Sequence, residues 1–159
     1  MYRNLAAIAF AVATILATPP VLAQGSAADV TDMQALRTAV RADKKAFIAS
    51  KMQLTEAEAK KFWPIYDQYQ RDLDLANRQQ TRAIEGLIAR DKPVSDLYAK
   101  ALLNDFIGAD ELELKARRKL YSRLISALPP KKAARYMQIE SKIRAFQDYD
   151  IAVAFPLVQ

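Results

Sequence analysis

From about residue 31 onward the apolar positions of the chain recur every three or four residues, the spacing of one face of an α-helix. Met33, Leu36, Val40 and Phe47 set a first stripe that runs to about Lys51, with Thr31 placed to cap it and Gln34 to reach back. Phe62, Ile65, Tyr66, Tyr69, Leu73, Ala76, Ile84 and Leu87 set a second over about residues 56–90, opened by Thr55 and Glu58 at the spacing of a capping box. Pro64 lies inside this helix and removes the bond to the carbonyl of Lys60, so a kink is expected there. Asp91-Lys-Pro93 stops it, and Ser95 caps a third helix over about 96–127. Pro129-Pro130 turns the chain into a fourth, where Tyr136, Ile139, Ile143 and Phe146 keep the helical period to about Tyr149. Residues 151–158 then form an apolar tail without a helical cap, to be docked on a groove or left disordered.

The third helix carries two apolar faces. Leu102, Phe106, Ala109, Leu112, Ala116, Leu120 and Leu124 form one, and Leu103, Ile107, Leu114, Tyr121 and Ile125 form another, about 130° away on an ideal helix. A helix with two stripes has two partners: one is the protomer's own core, the other a dimer mate or a client. The short connection between the two long helices makes them antiparallel. A compact domain of this size is a sphere roughly 37 Å across, whereas a helix of ~35 residues is ~52 Å long. The expected fold is therefore all-α, an elongated antiparallel bundle of about four helices with two long central ones, in a curved, cradle-like layer.

Composition narrows the setting. Arg3, an apolar run from Leu5 to Leu16 and small residues at Val21 and Ala23 predict a secretory signal peptide over residues 1–23, and hence a periplasmic protein. A run of twelve residues falls short of the ~20 that span a bilayer, so no integral membrane span is expected after cleavage. Residues 24–159 form one helical domain. Of the 24 basic residues, removal of Arg3 leaves 23 against 18 acidic, a net of +5. In an exported protein that balance suits acidic unfolded clients or an anionic envelope surface rather than nucleic acid. The chain has no cysteine and no histidine, which removes the usual nucleophiles and general bases and argues against an enzyme. Met33, Met52 and Met137 are the soft ligands left to the mature chain, so neither a metal site nor a cofactor is expected.

Three groups of side chains stand out as candidate contact residues. On a continuous first helix Arg37, Arg41, Lys44 and Lys45 share a flank with Ile48, giving a basic face with an apolar residue inside it. Trp63 points off the main stripe of the second helix, and Arg117, Arg118 and Lys119 lie beside the second stripe of the third. These groups are expected to line one concave surface, where charge speeds encounter and apolar contact prolongs it. Glu56–Lys60, Asp67–Arg71 and Asp74–Arg78 are acid-before-base pairs four apart, which support solvated helix surface rather than chemistry.

The opening of the second helix, Leu54-Thr-Glu-Ala-Glu-Ala-Lys-Lys-Phe-Trp-Pro-Ile-Tyr-Asp-Gln-Tyr69, has a worn copy in Leu128-Pro-Pro-Lys-Lys-Ala-Ala-Arg-Tyr-Met-Gln-Ile-Glu-Ser-Lys-Ile143. Without gaps, Leu54 meets Leu128, Phe62 meets Tyr136, Ile65 meets Ile139 and Tyr69 meets Ile143. A leucine-threonine helix start repeated in a small, exported, helical chain resembles the Spy/CpxP family of periplasmic proteins, named for its LTxxQ motif. Glu58 stands where that family has glutamine, and the second copy reads Leu-Pro-Pro-Lys-Lys. The resemblance implies an antiparallel homodimer shaped as a shallow cradle. It also implies an ATP-independent envelope chaperone or stress adaptor that binds unfolded proteins without a cofactor. A regulatory subunit that binds one sensor-kinase or metal-resistance sensor domain is the alternative it leaves open.

Overall fold

The computed structural model describes residues 32–158. They form four helices: α1 (Met33–Met52), α2 (Glu56–Ile88), α3 (Asp96–Ala127) and α4 (Pro130–Ala154). There are no strands among the described residues. The expected signal peptide and the expected cap at Thr31 lie outside them.

Each helix start has a local chemical cause. Asp32 caps α1, its carboxylate accepting from the N–H groups of Gln34 and Ala35 at 2.9 and 3.1 Å. At α2 the expected capping box is present in full: Glu58 N–H donates to Thr55 Oγ1 at 3.3 Å, and Thr55 N–H donates to Glu58 at 2.8 Å. Ser95 caps α3 by accepting from the Tyr98 N–H. Pro130 occupies the first turn of α4, where its missing N–H costs nothing. Pro64 sits inside α2 without ending it, and its position on the solvent side leaves the freed Lys60 carbonyl within reach of water.

Two boundaries depart from the pattern. α1 is broken at Asp43, whose extended backbone (φ −160°, ψ 97°) interrupts the helix. The Asp43 carboxylate accepts from the Ala46 N–H at 2.9 Å and so caps the second half as a new helix. α4 continues past Tyr149 to Ala154, so the apolar tail is partly helical. Its Phe155 lies edge-on against Phe106 with ring centroids 4.9 Å apart, closing a small cluster with Ala83, Leu87 and Leu102 at the far end of the long helices.

α2 and α3 run antiparallel and pack along their lengths. Lys119 reaches Asp72 at 2.8 Å, and farther along α2 the Gln79 amide reaches back to the Asp105 carbonyl at 3.0 Å. The helices approach closely there: a Cβ on Gly108 would lie 2.6 Å from Gln79 Nε2. α1 packs chiefly on α4, while α4 and α2 start side by side and run in the same direction. The core sits at this four-helix end, around Phe62, Tyr66, Tyr136, Leu36, Ile48, Leu120 and Leu124.

The two copies of the helix-opening sequence meet in this core. Phe62 and Tyr136 occupy equivalent places and pack edge to face, centroids 5.0 Å apart at 80°. Trp63 and Tyr66 extend the cluster, with the Trp63 ring 4.9 Å from Phe62 and 5.4 Å from Tyr66. Of the three solvated pairs expected four residues apart, Asp74–Arg78 forms. Asp67 pairs instead with Lys45 at 2.8 Å, and Arg71 donates to Gln68 at 2.8 Å.

Candidate functional site

The break at Asp43 rearranges the face expected on α1. Ile48, placed with the cations on a continuous helix, is fully buried and belongs to the core. Each of the four cations pairs with a carboxylate, Arg37 and Lys44 half-buried and Arg41 and Lys45 still exposed. Arg37 and Arg41 share Asp150, one on each carboxylate oxygen, at 2.6 and 2.8 Å. Arg37 also lies over the Phe146 and Tyr149 rings at 5.8 and 5.9 Å. Lys44 donates to Glu140 at 2.9 Å and to Gln70 at 3.1 Å. Lys45 bonds Asp67 and lies 5.1 Å from the Trp63 ring centre. Trp63 is half-buried against the core.

Glu140 is the one buried charged residue among those described, 6% exposed. It is satisfied on both oxygens, by Lys44 and by the Tyr136 hydroxyl at 3.2 Å. Burial, reinforced by the Glu140 charge, pushes the Tyr66 hydroxyl up to about 12. The same causes push Tyr69 and Tyr136 higher still. All three phenols are therefore neutral at physiological pH, and Tyr136 is the donor to Glu140.

Beside this network the four helices enclose an open cleft of about 520 Å³. Val40, Leu73, Phe146 and Ile151 give it apolar walls, and Asn77, Gln80, Thr81 and Gln147 add amide and hydroxyl groups. Arg41 and Lys44 from α1 and Arg144 from α4 supply cations, against Glu113, Asp148 and Asp150. Arg144 is shared between Glu113 and Asp148. Burial holds the Glu113 carboxyl above its usual value, against the pull of Arg144. Arg41 is two-thirds exposed, so the cation at this rim is open to a ligand.

The expected residues thus fall into separate places. Arg41 and Lys44 line the cleft. Arg117 lies close enough for its charge to act on Tyr69 and Glu113, near the same cleft. Arg37 lies behind the rim with Phe146, and Lys45 turns to the Trp63 side. Arg118 is exposed on α3 beside Leu103, Ile107, Leu114, Tyr121 and Ile125, and all five of these are 46–64% exposed. That second apolar face is therefore not core of this protomer. Asn77, Gln80, Thr81 and Arg144 were not singled out from sequence, because isolated polar residues on a helix carry no periodic signal. Among the described residues no helix is long and apolar enough to cross a membrane. Nor, among the described residues, do three or more His, Cys, Asp or Glu side chains come together closely enough to hold a metal ion. Searches for similarity found no matching family model, curated protein or solved structure.

Proposed function

We propose that the chain is an exported, periplasmic binding protein for unfolded or partly extended polypeptides, working without ATP or a cofactor, in the manner of the Spy/CpxP family it resembles. Residues 1–23 serve as its signal peptide, and the helical layer forms a cradle around the client. The observation that carries the reading is the cleft between α1, α2, α3 and α4. Its apolar walls suit client side chains, its amides suit an extended backbone, and its exposed Arg41 suits acidic segments. The ion pairs lining it are partly exposed, so an incoming carboxylate can replace Asp150 on Arg41 at small cost.

A catalytic role has less support. The cleft contains no nucleophile with an adjacent base, and its carboxylates are held by arginines. An aggregation assay with two unrelated clients tests the proposal. Suppression of both at stoichiometric protein supports a chaperone. Suppression of neither, together with tight binding to one folded sensor domain, supports a dedicated regulator instead.

A further inference from the structure

The apolar cluster at the far end of the long helices is built apart from the main core. Ala83 and Leu87 come from α2, Leu102 and Phe106 from α3, and Val94 and Tyr98 from the connection and the first turn of α3. A hairpin of two helices walls such a cluster on two sides and leaves another open. Phe155 fills that opening, its ring edge-on to Phe106 with centroids 4.9 Å apart.

One side chain makes this contact for a whole segment. Of residues 152–158 Phe155 alone is not exposed, while Val153 and Leu157 stand 70% and 89% exposed to either side of it. Among the described residues no hydrogen bond or ion pair joins residues 152–158 to α2 or α3, and the Phe155 N–H bonds back to the Ile151 carbonyl at 3.0 Å. Pro156 has no N–H with which to continue the helix, and it holds Phe155 in extended backbone, at φ −87° and ψ 114°. The ring is thus presented from an extended, solvated chain, as a free peptide would present it.

From this we infer that the cluster is a binding pocket for an aromatic side chain carried on an extended polypeptide, with the chain's own Phe155 as its resident occupant. The chemistry of the pocket selects this class of ligand. Its walls are aliphatic and aromatic, so a charged side chain entering it would lose hydration. An aromatic ring gains both apolar burial and an edge-to-face contact with Phe106. Backbone bonds to α2 and α3 contribute nothing to the resident contact, so the neighbours of the ring can vary and the aromatic residue sets recognition. A ligand on the same chain outcompetes a free one of the same sequence, which keeps the pocket filled in the isolated protein. None of the pocket residues lines the cleft, so this site and client binding in the cleft can fail independently.

The probe is a fluorescent peptide of residues 152–158, with lysines appended for solubility, titrated with the full chain and read by anisotropy. Phe155→Ala should empty the pocket and bind the peptide about tenfold or more tightly than wild type, whose pocket is filled. Phe155→Leu keeps part of the apolar contact and should fall between the two. A peptide with alanine in place of its phenylalanine should bind none of these proteins. Phe106→Ala added to Phe155→Ala should abolish binding of the original peptide. Circular dichroism verifies folding, and the comparison of wild type with Phe155→Leu carries the test if Phe155→Ala does not fold. Equal binding of the peptide by wild type and the Phe155 variants overturns the inference. So does equal binding of the phenylalanine and alanine peptides, or no binding by either Phe155 variant.

Discussion

Lys132 donates a hydrogen bond to Glu58, and the two residues hold the same place in the two copies of the helix-opening sequence, 74 positions apart. Lys132 also donates to the Gln53 carbonyl at 3.0 Å, just before α2 begins, where Gln53 ends α1 in the left-handed region. One copy's capping acid is thus held by the other copy's lysine, and the two helix starts are fixed to each other. The Phe62–Tyr136 contact, one turn on, continues the same register into the core.

The lysine bond, helped by the Thr55 N–H, holds the Glu58 carboxyl below its ordinary value of 4.5. A lowered folded-state value means that the carboxylate stabilises the fold above about pH 4.5, and that this contribution is lost as the pH falls through the folded value. Glu58→Gln keeps an acceptor for the cap but removes the charge. It should lower the thermal midpoint at pH 7, and the gap from wild type should close below pH 4.5. A gap that stays constant down to pH 3 would show that the charge does not matter.

The Lys44–Glu140 pair is the most buried ionic contact described, with side chains 20% and 8% exposed. Removing one partner strands the other, so Glu140→Leu or Lys44→Met alone should cost about 3–5 kcal/mol. The double substitution should recover most of that loss. A urea-denaturation cycle with additive single costs would mean that the two charges are not coupled.

How far the sequence disclosed this architecture depended on which signals were local. Thr55, Ser95 and Pro130 act within one turn, and the helices they start were legible from spacing alone. The meeting of the two copies was not legible, because alignment says nothing about which helices pack. Ile48 was misplaced for a physical reason: its position on the basic flank assumed an unbroken α1, and the rotation of the chain at Asp43 turns it into the core. The cleft escaped because its polar lining is spread over several helices, brought together by packing. The exposed strip on α3 was visible as a second stripe, since its periodicity is the same whether it faces core, partner or solvent.

Asp43 should accordingly matter more than an exposed aspartate in mid-helix. Asp43→Ala removes the cap of the second half of α1 and should cost about 1 kcal/mol, within the ~0.5–2 kcal/mol range for such caps. If instead α1 straightens, Ala is the better helix former and stability should be unchanged or higher. Denaturant unfolding separates the two, and no loss would contradict the capping role.

Glu113 gives the opposite sign to Glu58. Burial raises its folded-state value above 4.5, so ionisation opposes folding as the pH rises through and beyond that value. Glu113→Gln should therefore leave stability at pH 7 unchanged or raised, since Arg144 keeps Asp148 as a partner. A loss of more than ~1 kcal/mol, read from the urea midpoint, would place the Arg144 pair above desolvation in weight.

The most direct measurement of the client-binding account is stopped-flow association of a fluorescent unfolded acidic polypeptide with wild type and with Arg41→Glu, over a series of salt concentrations. Arg41 is exposed and its pair with Asp150 is worth little, so the variant should remain folded. Screening shrinks from about 8 Å in physiological salt to about 3 Å at 1 M. The account predicts that the association rate falls with salt for wild type, that Arg41→Glu binds more slowly at low salt, and that the two converge at high salt while dissociation changes little. Rates that are the same for both proteins at every salt concentration would contradict it.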